Sequence, residues 1–173
     1  SLEIKFIDSE DIKKANTKQL SELQGIVVPG GFGNRGVNGK ILTAQHARVN
    51  NIPYLGICLG MQISVIEFAR NVLGLKKANS TEFDINTPHP VISLVTEWED
   101  YKKGKLKGSV NQMGGTMRLG AQKCNLVKSS LAYTLYKKNT ITERHRHRYE
   151  VNNSYINKFN DTDLLFSGYS GNK

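Results

Sequence analysis

The chain has 173 residues, which is long enough for one domain with a sizeable hydrophobic core. Hydrophobic residues make up 38% and charged residues 23%, and no apolar stretch reaches the ~18 residues of a membrane span. The formal charge of +9 is spread along the chain, with local clusters at 102–107 and 144–148, so nucleic acid is a weakly supported partner. Two cysteines, Cys58 and Cys124, exclude a disulfide framework and favour a reduced, cytoplasmic setting.

The first predicted elements are two strands and a glycine-rich loop. Leu2, Ile4 and Phe6 alternate with charged residues, which predicts a strand. Residues 25–29 form a compact apolar run that is typical of a buried strand in a parallel sheet. The loop at 30–36 is either a phosphate cradle or a set of N–H donors for an oxyanion or carboxylate. It has no Lys-Ser/Thr ending, and a cysteine follows two elements later, so we prefer the second interpretation.

A short strand, a small-residue turn and a helix come next, after a predicted helix at 40–49. The strand at 52–55 stops at Gly-Ile-Cys-Leu-Gly, residues 56–60, and an apolar pattern of helical period follows. This is the layout of a nucleophile elbow with Cys58 as nucleophile, and glycine on both sides leaves room for a strained backbone. A helix N-terminus also favours the reactive thiolate. The alternative is a buried structural cysteine at a strand end.

The middle of the chain is less regular. Residues 78–83 are polar and predict a turn, and Thr-Pro-His-Pro at 87–90 predicts irregular structure. A short strand is expected at 91–95 and a solvated loop at 102–107, where four lysines occur. Another strand with glycine turns at both ends is expected at 114–120.

The last third contains an unusual density of arginine and histidine. A helix is predicted at 129–137 and a final strand at 164–169. Between them, alternation over 141–152 places the arginines on one face of a strand and the histidines on the other: Arg144, Arg146 and Arg148 against His145 and His147. Such a strand needs an anion or carboxylates if it is buried, or else it is an exposed basic edge strand.

Several motifs together resemble one family, the glutaminase domains of CTP synthases within the class I (triad) glutamine amidotransferases. They are P-G-G-F-G at 29–33, G-I-C-L-G-M-Q at 56–62, N-S-T-E-F at 79–83, G-G-T-M-R-L-G at 114–120 and R-H-R-H-R-Y-E-V-N at 144–152. The resemblance extends from about residue 3 to residue 170. It implies an α/β, flavodoxin-like fold, an open and mostly parallel sheet with helices on both faces.

The resemblance also implies roles for individual residues. Cys58 is the expected nucleophile, the backbone N–H groups of Leu59 and Gly30 the oxyanion hole, and Phe32 a flap. By charge, Glu82 suits the α-ammonium of glutamine and Arg148 its α-carboxylate. The full set expected to bind substrate is Gly31, Leu59, Gly60, Met61, Gln62, Glu82 and Arg148.

The chain departs from the family at the catalytic dyad, because it contains no His-Pro-Glu stretch. His89 precedes Pro90 but is followed by Val91, and His145 and His147 are weak substitutes for the general base. We therefore expect one glutaminase domain over residues 1–173 that lacks its first strand and helix and its His-Pro-Glu segment. The fragment alone is then expected to be inactive.

As implied by the family, L-glutamine is hydrolysed and the ammonia passes to a synthetase domain on the same polypeptide. ATP, UTP and Mg2+ belong to that domain, GTP is an activator, and the full-length protein is a homotetramer; no cofactor or metal is expected in the glutaminase domain. Three alternatives stay open: another triad glutamine amidotransferase, a non-catalytic binding or regulatory module, or anion or RNA binding through residues 144–148.

Overall fold

The computed structural model describes residues 1–14, 17–94, 97–100, 104–107 and 117–170, with backbone alone at 97–100 and 104–107. The chain divides into two compact units, Ser1–Ser93 and Leu94–Lys173. Each unit has its own secondary structure and is described separately.

The first unit contains two pairs of parallel strands and two helices of equal length. In chain order the elements are β1 Ile26–Val28, α1 Val37–Val49, β2 Tyr54–Gly56, α2 Leu59–Asn71, β3 Ala78–Ser80 and β4 His89–Leu94, after a 3-10 turn at Lys18–Leu20. β1 pairs with β2, with Val28 opposite Gly56, and β3 pairs with β4. The helices predicted after the glycine loop and after the elbow are thus confirmed.

The core of this unit forms where the two helices cover the strands. Nine of the thirteen residues of α2 are buried, so this helix is enclosed on most of its surface. Ile26, Val28 and Ala47 share one buried cluster. Val27 and its register partner Leu55 face away from that cluster and are 62% and 57% exposed. The strand predicted at 25–29 is therefore confirmed as β1, in a parallel pair, but it is buried on one face only, since it alternates buried, exposed, buried.

Three other local predictions for the first unit are wrong in whole or in part. Residues 1–8 have no regular structure, and Leu2 and Phe6 are 85% and 94% exposed, because no described strand pairs with them. Of the turn predicted at 78–83, residues 81–83 are a turn, but the polar residues 78–80 form β3, since β4 supplies their hydrogen-bond partners. His89 and Pro90 begin β4, a position at which a strand tolerates proline.

The second unit is built on antiparallel strands. Its elements are β5 Glu97–Asp100, β6 Gly104–Lys107, β7 Arg118–Leu126, α3 Leu131–Tyr136, β8 Thr140–His147, β9 Tyr149–Val151, α4 Asn153–Ile156, a 3-10 turn at Asn157–Phe159 and β10 Gly168–Tyr169. β7 lies between β10 and β8 in a three-stranded sheet, and β5 pairs with β6. The helix predicted at 129–137 is confirmed as α3.

Strand boundaries in the second unit differ from the sequence prediction. The loop expected at 102–107 is wrong for 104–107, which is a strand because β5 pairs with it; residues 102 and 103 lie outside the described residues. The strand predicted at 114–120 begins at Arg118 and continues to Leu126, and residues 114–116 are likewise not described. The strand at 164–169 is reduced to Gly168–Tyr169, which pairs with β7.

The α/β class predicted for the chain is confirmed, with parallel pairs in the first unit and an antiparallel sheet in the second. No helix in the part of the chain that the structure describes is both long enough and apolar enough to cross a bilayer.

Candidate active site

The first unit contains a strained turn that joins β2 to α2. β2 ends at Gly56, α2 begins at Leu59, and Cys58 is the residue that caps the helix. Its backbone has φ 53° and ψ −105°, a conformation that residues with a side chain rarely adopt. Strained backbone of this kind is concentrated at functional sites, where the surrounding structure holds it in place. The predicted strand–elbow–helix layout is therefore confirmed.

The glycines on either side of Cys58 are required by close backbone packing. A Cβ on Gly60 would collide with the carbonyl oxygen of Val28, on the neighbouring strand. A Cβ on Gly56 would lie 2.5 Å from the carbonyl carbon of Gly60 and from the nitrogen of Met61. Helix α2 can therefore begin this close to the strands only because both positions are glycine.

Hydrogen bonds fix the elbow to the strands. The N–H of Ile57 donates to the carbonyl oxygen of Val28 at 2.9 Å, and the N–H of Gly60 donates to the carbonyl of Ile57 at 3.0 Å. The hydroxyl of Tyr54 donates to the carbonyl oxygen of Gly60 at 2.8 Å. Burial, together with the nearby Glu67 carboxylate, raises the pKa of Tyr54, so its hydroxyl keeps the proton that it donates.

The glycine loop after β1 packs directly against the elbow. A Cβ on Gly30 would lie 3.4 Å from the Cβ of Cys58, and a Cβ on Gly31 would lie 3.3 Å from Cδ2 of Leu59. The Leu59 N–H is the first of its helix, and within the described chain no hydrogen-bond acceptor is placed for it. The two backbone segments expected to form the oxyanion hole thus lie beside the expected nucleophile.

Glu82 reaches the same loop from the turn after β3. Its Oε1 accepts a hydrogen bond from the N–H of Gly33 at 2.9 Å. The neighbouring Phe32, which is expected from the sequence to be a flap, is 91% exposed. Sequence reasoning placed Glu82 in the site but missed its bond to Gly33, because the two residues are 49 positions apart.

Few side-chain atoms at the start of α2 are exposed to a ligand. Leu59 and Gln62 are 1% and 4% exposed and belong to the core, whereas Met61 is 39% exposed. Of the residues expected here to bind substrate, Leu59, Gly60 and Gln62 therefore have backbone atoms to offer, and Met61 also has a side chain. The structure adds this distinction to the sequence prediction.

Arg148 belongs to the second unit, at the bend between β8 and β9, and is partly buried. The predicted alternation holds up to this bend, since Arg144 and Arg146 are exposed and His145 and His147 are partly buried. Arg148 does not continue the pattern of exposed arginines and partly buried histidines, because the chain bends at this residue. It is therefore not on a continuous arginine face, contrary to the sequence prediction.

The two histidines form a connected pair beside an ion pair. Nδ1 of His145 lies 2.9 Å from Nε2 of His147, and Nδ1 of His147 lies 3.0 Å from the carbonyl oxygen of Tyr149. Arg118 makes a bidentate pair with Glu150, with N–O distances of 2.8 and 3.2 Å. Burial lowers the pKa of both histidines, and Arg118 contributes in each case.

Glu150, which sequence reasoning did not single out, pairs with Arg118 on β7, whereas Arg144 and Arg146 of the basic strand are exposed, as the alternative of an exposed basic strand expects. Among the described residues, no group of three or more His, Cys, Asp or Glu side chains is placed to hold a metal ion.

Comparison with known proteins gives the family. The family model described as glutamine amidotransferase class-I matches residues 1–173. The chain therefore belongs to the class I glutamine amidotransferases. One match among solved structures is more specific than the family. The chain is similar to a Trypanosoma brucei structure titled "CTPS - glutaminase domain with bound acivicin", at 42% identity and a TM-score of 0.84. That match covers 99% of this chain and 63% of the other, and it confirms the resemblance inferred from the motifs.

Proposed function

We propose that this chain is the glutamine-hydrolysing domain of a CTP synthase. The observation that carries the proposal is Cys58, held at positive φ on a strand-to-helix elbow with Gly30 packed against its Cβ. A sulfur nucleophile and a glycine loop in this arrangement suit acyl transfer at a carboxamide. The similarity to a CTP synthase glutaminase domain with bound acivicin supports glutamine as the substrate.

The chemistry proceeds through a thioester. The Cys58 thiolate attacks the side-chain carbonyl carbon of glutamine, and N–H groups of Leu59 and the Gly30–Gly31 segment stabilise the oxyanion. The C–N bond then breaks, and ammonia leaves with a proton taken from a general acid. Water hydrolyses the γ-glutamyl thioester to glutamate and restores the thiol. The resemblance implies a histidine–glutamate pair as acid and base, and neither His145 nor His147 is proposed for that role.

Recognition of the amino acid end of glutamine is assigned by charge. Glu82 offers a carboxylate to the α-ammonium group, and Arg148 offers a guanidinium to the α-carboxylate. Phe32, exposed on the glycine loop, is proposed as the flap over the bound substrate. Met61 adds an exposed apolar side chain at the first turn of α2.

The role of the whole protein extends this proposal. A synthetase domain on the same polypeptide receives the ammonia and uses it to aminate UTP that has been activated by ATP, with Mg2+ as the counterion of the nucleotides. GTP activation, a homotetramer and a cytoplasmic setting complete the proposal. The similarity to a CTP synthase glutaminase domain supports the synthetase role, the two free cysteines support the cytoplasmic setting, and GTP and the tetramer rest on the family resemblance alone.

The experiment uses the full-length protein and acivicin, a glutamine analogue with an electrophilic ring carbon. We expect acivicin to add one mass increment on the peptide that contains Cys58, and glutamine to protect that peptide. Cys58→Ala should abolish both the adduct and ammonia release from glutamine, whereas the matched control Cys124→Ala should retain both. Ammonia release that survives Cys58→Ala would overturn the proposed mechanism.

The same preparation separates the competing functions. A CTP synthase with Cys58→Ala should still form CTP from ATP, UTP and ammonium chloride, because external ammonia bypasses the glutaminase. Glutamine hydrolysis without CTP formation from either nitrogen source would indicate another class I amidotransferase. Glutamine binding without hydrolysis in the unaltered protein would indicate a non-catalytic module.

A further inference from the structure

The glycine loop has one hydrogen-bonded attachment near its exposed tip. For the backbone of residues 30–33, the bond from Gly33 N–H to Oε1 of Glu82, at 2.9 Å, is the one formed within the described part of the chain. Gly33 has φ 74°, and no neighbouring atom lies within 4 Å of the position that a Cβ would take, so nothing packs against that side of the residue. The loop between Gly30 and Gly33 therefore depends on Glu82 for its position.

Glu82 is held firmly enough to serve as an anchor. Its own N–H donates to Oγ of Ser80 at 3.1 Å, and Ser80 is fully buried at the end of β3. The N–H of Thr81 donates to the carbonyl oxygen of Ile92 at 3.1 Å, which ties the same turn to β4. The carboxylate thus projects from a turn that is fixed to two strands.

On the other side, the loop continues into α1, and exposed side chains also hold it: Nζ of Lys40 donates to the carbonyl oxygen of Arg35 at 2.7 Å. Arg35 contacts Glu10 at 2.8 Å and Asp8 at 3.7 Å, and all three side chains are more than half exposed. Exposed ion pairs of this kind contribute little free energy because water and salt screen them. The partly buried bond to Glu82 is the stronger restraint, since hydrogen bonds to a charged acceptor are about twice as strong as neutral ones.

We propose that Glu82 is a positioning residue for the glycine loop. By accepting a hydrogen bond from the Gly33 N–H, it holds the Gly30–Gly31 backbone against Cys58. This role is separate from the charge that Glu82 offers to a substrate ammonium, and it rests on the proposed function. A carboxylate has two oxygens, so Oε1 can keep the loop while Oε2 receives the ammonium. Binding of the amino acid end of glutamine and placement of the oxyanion donors then share one side chain.

Two substitutions in the full-length protein separate the two roles. Glu82→Gln removes the charge but keeps a carbonyl oxygen that can accept from Gly33, whereas Glu82→Ala removes both. The substrates are glutamine and 4-carbamoylbutanoate, its analogue without the α-amino group, and the readout is ammonia release. Glu10→Ala is the matched control, because it removes the exposed contact to Arg35 and leaves Glu82 in place.

For glutamine, we expect both variants of Glu82 to raise KM. For the analogue, Glu82→Gln should keep kcat within about twofold of the unaltered protein, and Glu82→Ala should lower it at least about tenfold, since a misplaced oxyanion donor costs ~10²–10³ in kcat. Equal kcat for all three proteins on the analogue, or equal losses in both variants, would overturn the positioning role.

Hydrogen exchange provides a readout that does not depend on catalysis. The Gly33 amide should exchange at least about tenfold faster in Glu82→Ala than in the unaltered protein, while Glu82→Gln and Glu10→Ala keep its protection. Unchanged exchange in Glu82→Ala would overturn the proposal. If the protein releases no ammonia from either substrate, the proposed function fails, and the exchange measurement still decides whether Glu82 holds the loop.

Discussion

The hydroxyl of Tyr54 donates a 2.8 Å hydrogen bond to the carbonyl oxygen of Gly60. Tyr54 begins β2 and Gly60 lies in the first turn of α2, so the bond spans the elbow that carries Cys58. The bond joins a partly buried side chain to a backbone atom two residues after the nucleophile. It restrains the start of the helix that carries the elbow.

We predict that Tyr54→Phe lowers the free energy of unfolding by about 1 kcal/mol, the usual contribution of one intramolecular hydrogen bond. The ring keeps its packing, so the loss is that of the hydroxyl alone. Urea denaturation measures the change. The matched control is Tyr136→Phe, which removes an exposed 3.0 Å bond to Glu143 and should have a smaller effect. An equal loss in both variants would show that the bond at the elbow contributes no more to the free energy of unfolding than an exposed hydrogen bond does.

A second prediction concerns Gly60, which has no room for a methyl group. Gly60→Ala pushes a Cβ against the carbonyl oxygen of Val28, which already accepts a hydrogen bond from the N–H of Ile57 and so has little freedom to shift. We expect a loss of about 3 kcal/mol, the upper part of the range for overpacking, together with slower labelling of Cys58 by acivicin. Gly25→Ala is the control: its nearest contact would be an ordinary 3.9 Å to the carbonyl oxygen of Pro53. Thermal unfolding that is unchanged in Gly60→Ala would contradict the packing argument.

The parts of the site that sequence could predict are local ones. The turn around Cys58 is identifiable because small residues, a strand pattern and a helix pattern lie within a few positions of one another. The same holds for the glycine loop, whose place after a strand is encoded in adjacent residues. Steric requirements between neighbouring residues select particular residue types at adjacent positions, so they can be recognised in the sequence.

The parts that sequence could not predict depend on distant pairing. The Glu82–Gly33 bond joins residues 49 apart, and the Arg118–Glu150 ion pair joins residues 32 apart. Strand assignments failed for the same reason: residues 78–80 are too polar to suggest a strand, yet β4 pairs with them. Conversely, the alternation of Leu2 with Phe6 suggests a strand, but no described neighbour completes it.

A third prediction concerns the ion pair between α1 and α2. Arg48 donates to both carboxylate oxygens of Glu67, at 2.7 and 3.0 Å, and the Glu67 side chain is only 2% exposed. Arg48→Ala leaves that carboxylate buried, with Nδ2 of Asn71 at 3.0 Å as its remaining hydrogen-bond donor among the described residues. We expect a loss of about 3 kcal/mol in the free energy of unfolding, the lower end for a broken buried pair.

The control for Arg48 is an arginine with a similar ion pair at the surface. Arg35 pairs with Glu10 at 2.8 Å, but the two side chains are 78% and 51% exposed. Arg35→Ala should therefore cost less than about 1 kcal/mol, and high salt should remove most of that difference. Equal losses for Arg35→Ala and Arg48→Ala in urea denaturation would show that burial of Glu67 does not matter.

The last prediction is a dependence of stability on pH that arises from the histidine pair. Burial lowers the pKa of His145 and of His147 in the folded protein, whereas the unfolded chain titrates near the ordinary value of about 6.5. The folded state therefore binds fewer protons than the unfolded state as pH falls below that value. The free energy of unfolding should then decrease from pH 7.5 to pH 5.5 and stay level between pH 7.5 and pH 8.5 as far as this pair is concerned.

The geometry of the histidine pair also favours the neutral form of the two rings, in agreement with their lowered pKa. The carbonyl of Tyr149 can only accept, so Nδ1 of His147 carries the proton that faces it at 3.0 Å. Nε2 of neutral His147 is then the acceptor for Nδ1–H of His145, and protonating both rings would set two N–H groups against each other across 2.9 Å. Replacing both histidines with glutamine should flatten the decrease between pH 7.5 and pH 5.5 in urea denaturation. A double variant with the same slope as the unaltered protein would assign the pH dependence to groups other than this pair.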